Sequence, residues 1–255
     1  MSVVALRLRT LLVGLGERDG DDDAMALASR LVEPGGDVVP VRVHPRHRWA
    51  RSPAHGLIEA AEGRGAELIV LGSGRTAPDG RLAPSRTALQ ILQGAGCPVA
   101  VAPRGYREQG PFRHIGIAFD GSDEAEAALR VGYDLAVRDH AAVTLYWTIS
   151  DGRVAMAGMP APELDEWTHL QRREAQDALD VAADSAPAGV NPETVLLRGD
   201  PGPDIVLVSD GIVDLLVTGS RGLGPFQRAL SGSVSEQVLL GASAPVLIVP
   251  RTAIR

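Results

Sequence analysis

Lysine is missing from this 255-residue sequence: all 25 basic residues are arginine. That absence excludes three chemistries. A Walker-type phosphate loop sets a lysine on the phosphates. Schiff-base catalysis needs a lysine amine. A protein-kinase site needs a lysine on its third strand. Richness in Ala, Gly, Arg and Pro without Lys also fits a GC-rich genome. Cysteine is nearly missing as well. Cys97 stands alone, so no internal disulfide forms, and no Cys/His cluster has zinc spacing. Aromatic residues are 4% of the chain, which leaves Ala, Val, Leu and Ile to fill the core. No apolar run approaches the ~18 residues that span a bilayer. Leu11–Leu15 follows Arg7 and Arg9 but is too short for a signal-peptide core, and the acidic stretch Glu17–Asp23 follows at once. It reads as a buried strand, and the chain is expected to be cytoplasmic. Net positive charge is lacking too. The formal charge of −7 argues against an electrostatic nucleic-acid binder, so neither nucleic acid nor membrane is an expected partner.

What is present suits a packed core: 45% apolar and 22% charged residues. The length allows one large domain or two small ones. A repeat decides between them. Shifted by 147 residues, Leu71–Arg104 lies on Thr218–Arg251 without a gap, and 12 of the 34 pairs are identical. They include Gly72/Gly219, Ser73/Ser220, Arg81/Arg228, Pro98/Pro245 and Pro103/Pro250. Leu11–Leu31 matches Ile115–Leu135 at an offset of 104. The offsets differ by 43, so the first half lacks about that many residues after its second strand. Two domains are expected, at residues 1–107 and 108–255, with Gly105–Arg113 as the linker.

The second half reads as strands and helices in alternation. Ile115–Phe119 is a strand, Asp120-Gly121-Ser122 is a turn, and Ser122 or Asp123 caps a helix to about Arg138. Ala142–Ile149 is a strand, Asp151–Pro162 a Gly/Pro-rich loop, and Glu163–Ala183 a polar helix. Strands are expected at Glu193–Leu197, Val213–Thr218 and Pro245–Val249, with helices at Pro203–Asp210, started near Pro201, and at Ser233–Leu240. Short apolar strands between helices imply an α/β fold with a doubly wound parallel sheet. The first half repeats this with Val38–Val43 as second strand and Pro53–Glu62 as the next helix. It omits the long polar helix and one strand.

The chemistry-bearing segment follows the strand Val213–Thr218. It reads Gly219-Ser220-Arg221-Gly222, nine residues, then Gly232-Ser233. The first glycines sit where open α/β sheets bind ligands. Gly232-Ser233 opens a helix whose free amides and dipole suit an anion. Gly-rich turns after strands also simply close βα units, and Asp120-Gly121 also reads as a turn with a helix cap.

The spacing G-x2-G-x9-G-[S/T] after an apolar strand resembles the nucleotide motif of ATP-binding universal stress proteins. Ile117-Ala118-Phe119-Asp120-Gly121-Ser122 and the bracket Pro245–Pro250 are similar to that family too. The resemblance covers nearly all of His114–Arg251 and, weakly, the first half. It implies two fused Rossmann-like domains, the first truncated, and a nucleotide-dependent stress regulator that binds ATP, with Mg accompanying it. By the same resemblance Asp120 and Gly219 hold the ribose, and the backbone near Thr148 reads adenine. Gly222, Gly232 and Ser233 line the phosphates, with Val234 and Ser235 behind them. Trp147 stands where the family often has His. No catalytic residue or metal ligand is implied.

The first half breaks the pattern. Gly72 remains, but Arg75, Ser85 and Arg86 replace Gly222, Gly232 and Ser233, and Gly16 replaces Asp120. It reads as a structural partner, with an anion site of Arg75, Arg81 and Arg86 as the alternative. Cys97 reads as a buried small residue. His44, His47 and His55 read as a solvated loop, and Glu174, Asp177 and Asp180 as a solvated helix face. Val99–Ala102 and Val246–Val249 are wholly apolar and bracketed by prolines. Such edges invite aggregation unless covered, so an internal pseudo-dimer through these strands is expected. A homodimer of the whole chain is a further expectation. The rival readings are a slow ATPase or nucleotidyl-transferring enzyme of related fold, and a scaffold that binds no nucleotide.

Overall fold

Strands and helices alternate through the whole chain, as the apolar runs require. The computed structural model describes residues 7–16, 20–42, 52–150, 161–220 and 234–250. The first half comprises β1 (Thr10–Leu15), α1 (Asp21–Leu31), β2 (Asp37–Arg42), α2 (Pro53–Arg64), β3 (Leu68–Gly72), α3 (Arg86–Gly94) and β4 (Val99–Ala102). The second comprises β5 (His114–Ala118), α4 (Asp123–Asp139), β6 (Ala142–Ser150), α5 (Ala161–Asp184), β7 (Glu193–Gly199), α6 (Pro201–Ser209), β8 (Leu215–Ser220), α7 (Val234–Gly241) and β9 (Val246–Pro250). Local chemistry sets several boundaries. The Ser52 and Ser122 hydroxyls accept the first-turn amides of His55 and Ala125, both at 3.2 Å. Left-handed Gly65 ends α2. One expectation shifts: Ala161 and Pro162, read as loop, open α5. Helix α6 starts at Pro201 as expected, where proline fits the first helical position. Residues 151–160 lie outside the described residues. Among the described residues the first half has no counterpart of α5 or β7, which is the expected shortening.

The nine strands of the described residues form one sheet, ordered β2-β1-β3-β4-β9-β8-β5-β6-β7. Every neighbouring pair is parallel except β4 and β9, which run antiparallel. The two proline-bracketed strands therefore meet at the centre, with Val99 opposite Ile248, Ala100 opposite Leu247 and Val101 opposite Val246. Side chains alternate across a strand, so this register sends matched residues to one face. Val99, Val101, Val246 and Ile248 join the core under α2, α3, α6 and α7. Ala100, Ala102, Leu247 and Val249 join the core under α1, α4 and α5. Both cores thus run through the seam. The outer strand β2 carries Pro40 and charged residues at both ends, which suits an unpaired edge. Among the described residues no helix is long and apolar enough to cross a membrane.

The connecting segment 103–113 is clamped rather than free. Arg30 of α1 is buried, with its guanidinium 4.0 Å from the centroid of Phe112. It donates to the Tyr106 hydroxyl, to the carbonyls of Gly110 and Pro111 at 2.9 Å each, and to Asp214 at 3.2 Å. Asp214 also accepts from the backbone amides of Arg113 and His114. One arginine of the first half therefore ties the linker to the foot of β8. Arg138 of α4 returns the contact: it donates to the carbonyls of Arg30 and Leu31 at 2.9 and 2.7 Å. Those carbonyls end α1, where a cation is favourable.

Two outcomes are expected. Ile248→Asp sets an unpaired carboxylate on the central seam, 3% exposed, and costs about 4 kcal/mol or more. Denaturant unfolding should show both halves losing stability in one transition. Arg30→Leu keeps the volume but removes the buried donor to Asp214, Tyr106 and the linker carbonyls, and should lower stability by about 3 kcal/mol in the same measurement.

Candidate functional site

The carboxyl ends of β5, β6 and β8 meet beside the starts of α4, α6 and α7. β5 hydrogen-bonds to β6 on one side and to β8 on the other, so the sheet order switches there. Such a switch opens a crevice beyond the strand ends. Asp120 follows β5. Its Oδ1 accepts from the Ser122 amide at 3.1 Å and the Ser122 hydroxyl at 2.6 Å. The turn and the helix cap are thus one device, and they fix the carboxylate at the crevice. Gly121 takes φ 73°, a left-handed backbone that favours glycine. A Cβ there would also stand 3.4 Å from the Trp147 indole. Trp147 meets Phe119 edge-on, with centroids 5.8 Å apart. Thr148 follows on β6. Its Oγ1 is buried and has no hydrogen-bond partner.

Gly219, near the end of β8, faces the first turn of α4. A Cβ on it would lie 2.5 Å from the carbonyl carbon and oxygen of Glu124. This glycine is required by packing between strand and helix. The Ser235 hydroxyl donates to the Gly219 carbonyl at 2.7 Å and pins the first turn of α7 to β8. Its donor is therefore spent on the fold, in keeping with a place behind the residues that the resemblance sets on the phosphates. Val234 stands beside it.

These groups share one cavity of about 370 Å³. Asp120, Thr148, Gly219, Val234 and Ser235 all line it. Gly222, Gly232 and Ser233 lie outside the described residues. The cavity has further walls that sequence reasoning passed over: Phe119, Pro201, Ile205 and Thr218. Phe119 was legible as the last apolar residue before Asp120. Nothing local marks Ile205, because its place depends on how α6 packs.

In the first half a cavity of about 450 Å³ occupies the matching position, between β1, β3 and the starts of α1, α2 and α3. The arginine anion site read as an alternative there does not form as drawn. Arg81 turns to the other half, donating to Asp210 at 2.9 Å and to the Gly241 carbonyl at 3.2 Å. With the Ser243 hydroxyl, that contact holds the Asp210 carboxyl below its usual range. Arg86 is exposed at the start of α3, and Arg75 is exposed at the cavity wall. The other candidates are structural. Burial pushes the Cys97 thiol up to about 11, which leaves little nucleophilic thiolate. His55 sits on α2, 3.1 Å from Glu59, while His44 and His47 lie outside the described residues. Glu174, Asp177 and Asp180 are exposed on α5. Among the described residues no group of three or more His, Cys, Asp or Glu side chains has metal-binding geometry.

Fold and crevice define a duplicated α/β protein of the doubly wound, ligand-cleft class. Comparison with known proteins gives the family. The family model described as "Universal stress protein family" matches residues 16–103 and again 111–250. The chain belongs to the universal stress protein family, with two copies of the domain in tandem. The universal stress protein YxiE of Bacillus subtilis is 30% identical over 146 residues, covering 54% of this chain and 99% of YxiE. Universal stress protein MJ0531 of Methanocaldococcus jannaschii is 32% identical over 143 residues, covering 55% of this chain and 83% of its own. About half of this chain thus spans nearly all of YxiE, as a duplication requires. Among solved structures, a universal stress protein from Archaeoglobus fulgidus superposes with a TM-score of 0.70 at 14% identity, covering 96% of this chain and 99% of that one. At that identity the likeness is one of fold.

Gly219→Ala should lower the stability of the nucleotide-free protein by about 2 kcal/mol or more, because the methyl meets backbone that cannot move cheaply. Thermal unfolding without added ligand checks this. An unchanged melting temperature would return the glycine to a purely ligand-facing role.

Proposed function

We propose that the second half binds ATP, with Mg²⁺, and that the protein acts as a nucleotide-dependent stress regulator. The observation that carries this reading is the convergence of Asp120, Thr148 and Gly219 on one cavity at the switch point. The motif residues Gly222, Gly232 and Ser233 follow in sequence. The wall chemistry fits a nucleotide. A carboxylate held by Ser122 is ready to accept from ribose hydroxyls. The buried, unpartnered Thr148 Oγ1 sits on the strand beside which the base would lie. Glycine-flanked amides and the start of α7 suit the phosphates, with Ser233 adding a hydroxyl and Val234 and Ser235 behind it.

The division of labour follows from the repeat. The first half, residues 1–107, acts as an internal partner whose last strand covers that of the second, residues 108–255. The β4–β9 ladder supports this, as do family matches that break between residues 103 and 111. Regulation rather than catalysis is favoured by the cavity wall. Its one carboxylate among the described residues is Asp120, whose Oδ1 already takes two hydrogen bonds from Ser122.

Calorimetry should find one ATP per chain in the presence of Mg²⁺. Asp120→Ala should weaken binding by about 1–3 kcal/mol through lost hydrogen bonds to a charged acceptor. Gly222→Arg, which copies Arg75 of the first half, should abolish it. Two equivalent sites, no binding, or unchanged affinity in Gly222→Arg would each defeat the assignment.

A further inference from the structure

We propose that the first half holds a second small-molecule site, selective for a carboxylate with an apolar body and closed to nucleotides. The site is the cavity of about 450 Å³ at the carboxyl ends of β1 and β3. One side is hydrocarbon, from Leu15, Leu57 and Leu71. Arg42 lines the same cavity.

Register places Arg42 where the second half has Trp147. Leu15 pairs with Arg42, and Leu15 corresponds to Phe119, the neighbour of Trp147. The aromatic pair is thus replaced by a leucine and a guanidinium, and among the described residues no aromatic side chain lines the cavity. Gly16 stands at the position of Asp120. Among the described residues the first half thus lacks both groups proposed to hold a nucleoside and sets a cation in the place of one of them.

A carboxylate is also present, but it is engaged. Asp21 Oδ2 accepts from Arg42 Nη2 at 2.7 Å, and Oδ1 accepts from the Gly16 amide at 2.7 Å. Guanidinium carries five N–H donors in a planar fork, and Asp21 takes one. The remaining donors match the two oxygens of a second carboxylate, and the leucines beside them favour an anion that carries an apolar body. Helix α1 carries Asp21, Asp22 and Asp23 in its first turn, as α4 carries three acids in the second half. Helices α2 and α3 also begin at this cavity and carry no acid in the first turn, whereas α6 and α7 each carry one. The leucines then supply affinity for whatever the carboxylate is attached to.

Sodium octanoate is the probe, with octan-1-ol and inorganic phosphate as its apolar and anionic halves. Titrated into the full chain by calorimetry, octanoate should bind once per chain, and neither half alone should match it. Arg42→Gln should weaken octanoate by about tenfold or more, as loss of a charge-assisted bond does. Amide resonances of Gly14, Gly16 and Gly72, which ring the cavity, should shift on titration. Saturating ATP should leave octanoate affinity unchanged, whether or not the second half binds ATP. Four results would overturn the proposal: octanol or phosphate binding as tightly as octanoate, undiminished binding in Arg42→Gln, silent glycine amides, or displacement of octanoate by ATP.

Discussion

The antiparallel pairing of β4 with β9 is the contact on which the rest of the molecule depends. Each strand is apolar along its length, and each would otherwise leave a row of backbone donors and acceptors at a sheet edge. Their ladder converts two edges into the centre of one nine-stranded sheet. Because matched residues fall on matched faces, the seam also joins two pairs of half-cores into two continuous ones. Loss of α5 and β7 from the first half is tolerable for the same reason. The missing elements belong at the outer end of the sheet, far from the seam. What remains ends in β2, an edge already guarded by Pro40 and charge.

Buried charge adds orientation to that hydrophobic joint. Arg30 sits under the linker with its side chain 3% exposed and Asp214 as its ion partner. A buried pair contributes little net stability, since desolvation offsets the attraction. Its value here is geometric. Arg30 has acceptors on the linker and on the second half, and Arg138 has acceptors on the first. Only one relative placement of the halves satisfies both arginines. Apolar faces alone would tolerate sliding along the strands; this arrangement does not.

The repeat, the alternation of strands and helices, and the seam were legible because each rests on a periodic or matched pattern. Apolar runs of strand length mark a sheet buried on both faces, and paired prolines mark paired ends. Ser122 was legible as a cap because a hydroxyl before a helix has a local purpose. Arg30 was not. A lone arginine in an Ala-rich helix looks like a solvated residue, and its partners lie 76 to 184 positions away in sequence. Arg81 was misjudged for a related reason. Beside Arg75 and Arg86 it suggested an anion site, yet its acceptors belong to the other half. The long-range partner of a charge is set by packing, and no spacing in the sequence encodes it.

The glycines of the motif show how fold and ligand requirements separate. Gly72 persists in a half that has lost every other motif residue. Packing explains it: a Cβ there would run into the Gly20 carbonyl, as one on Gly219 would run into Glu124. The first glycine is thus kept by strand-to-helix contact in both halves, and its presence says little about a ligand. Weight shifts to residues the fold does not demand. Asp120 accepts from Ser122, yet the first half folds with Gly16 in its place, so the fold does not demand that carboxylate. In sequence, Arg75 likewise stands where the second half has Gly222. The nucleotide reading of the second half therefore rests on the contrast between the copies, more than on the motif taken alone.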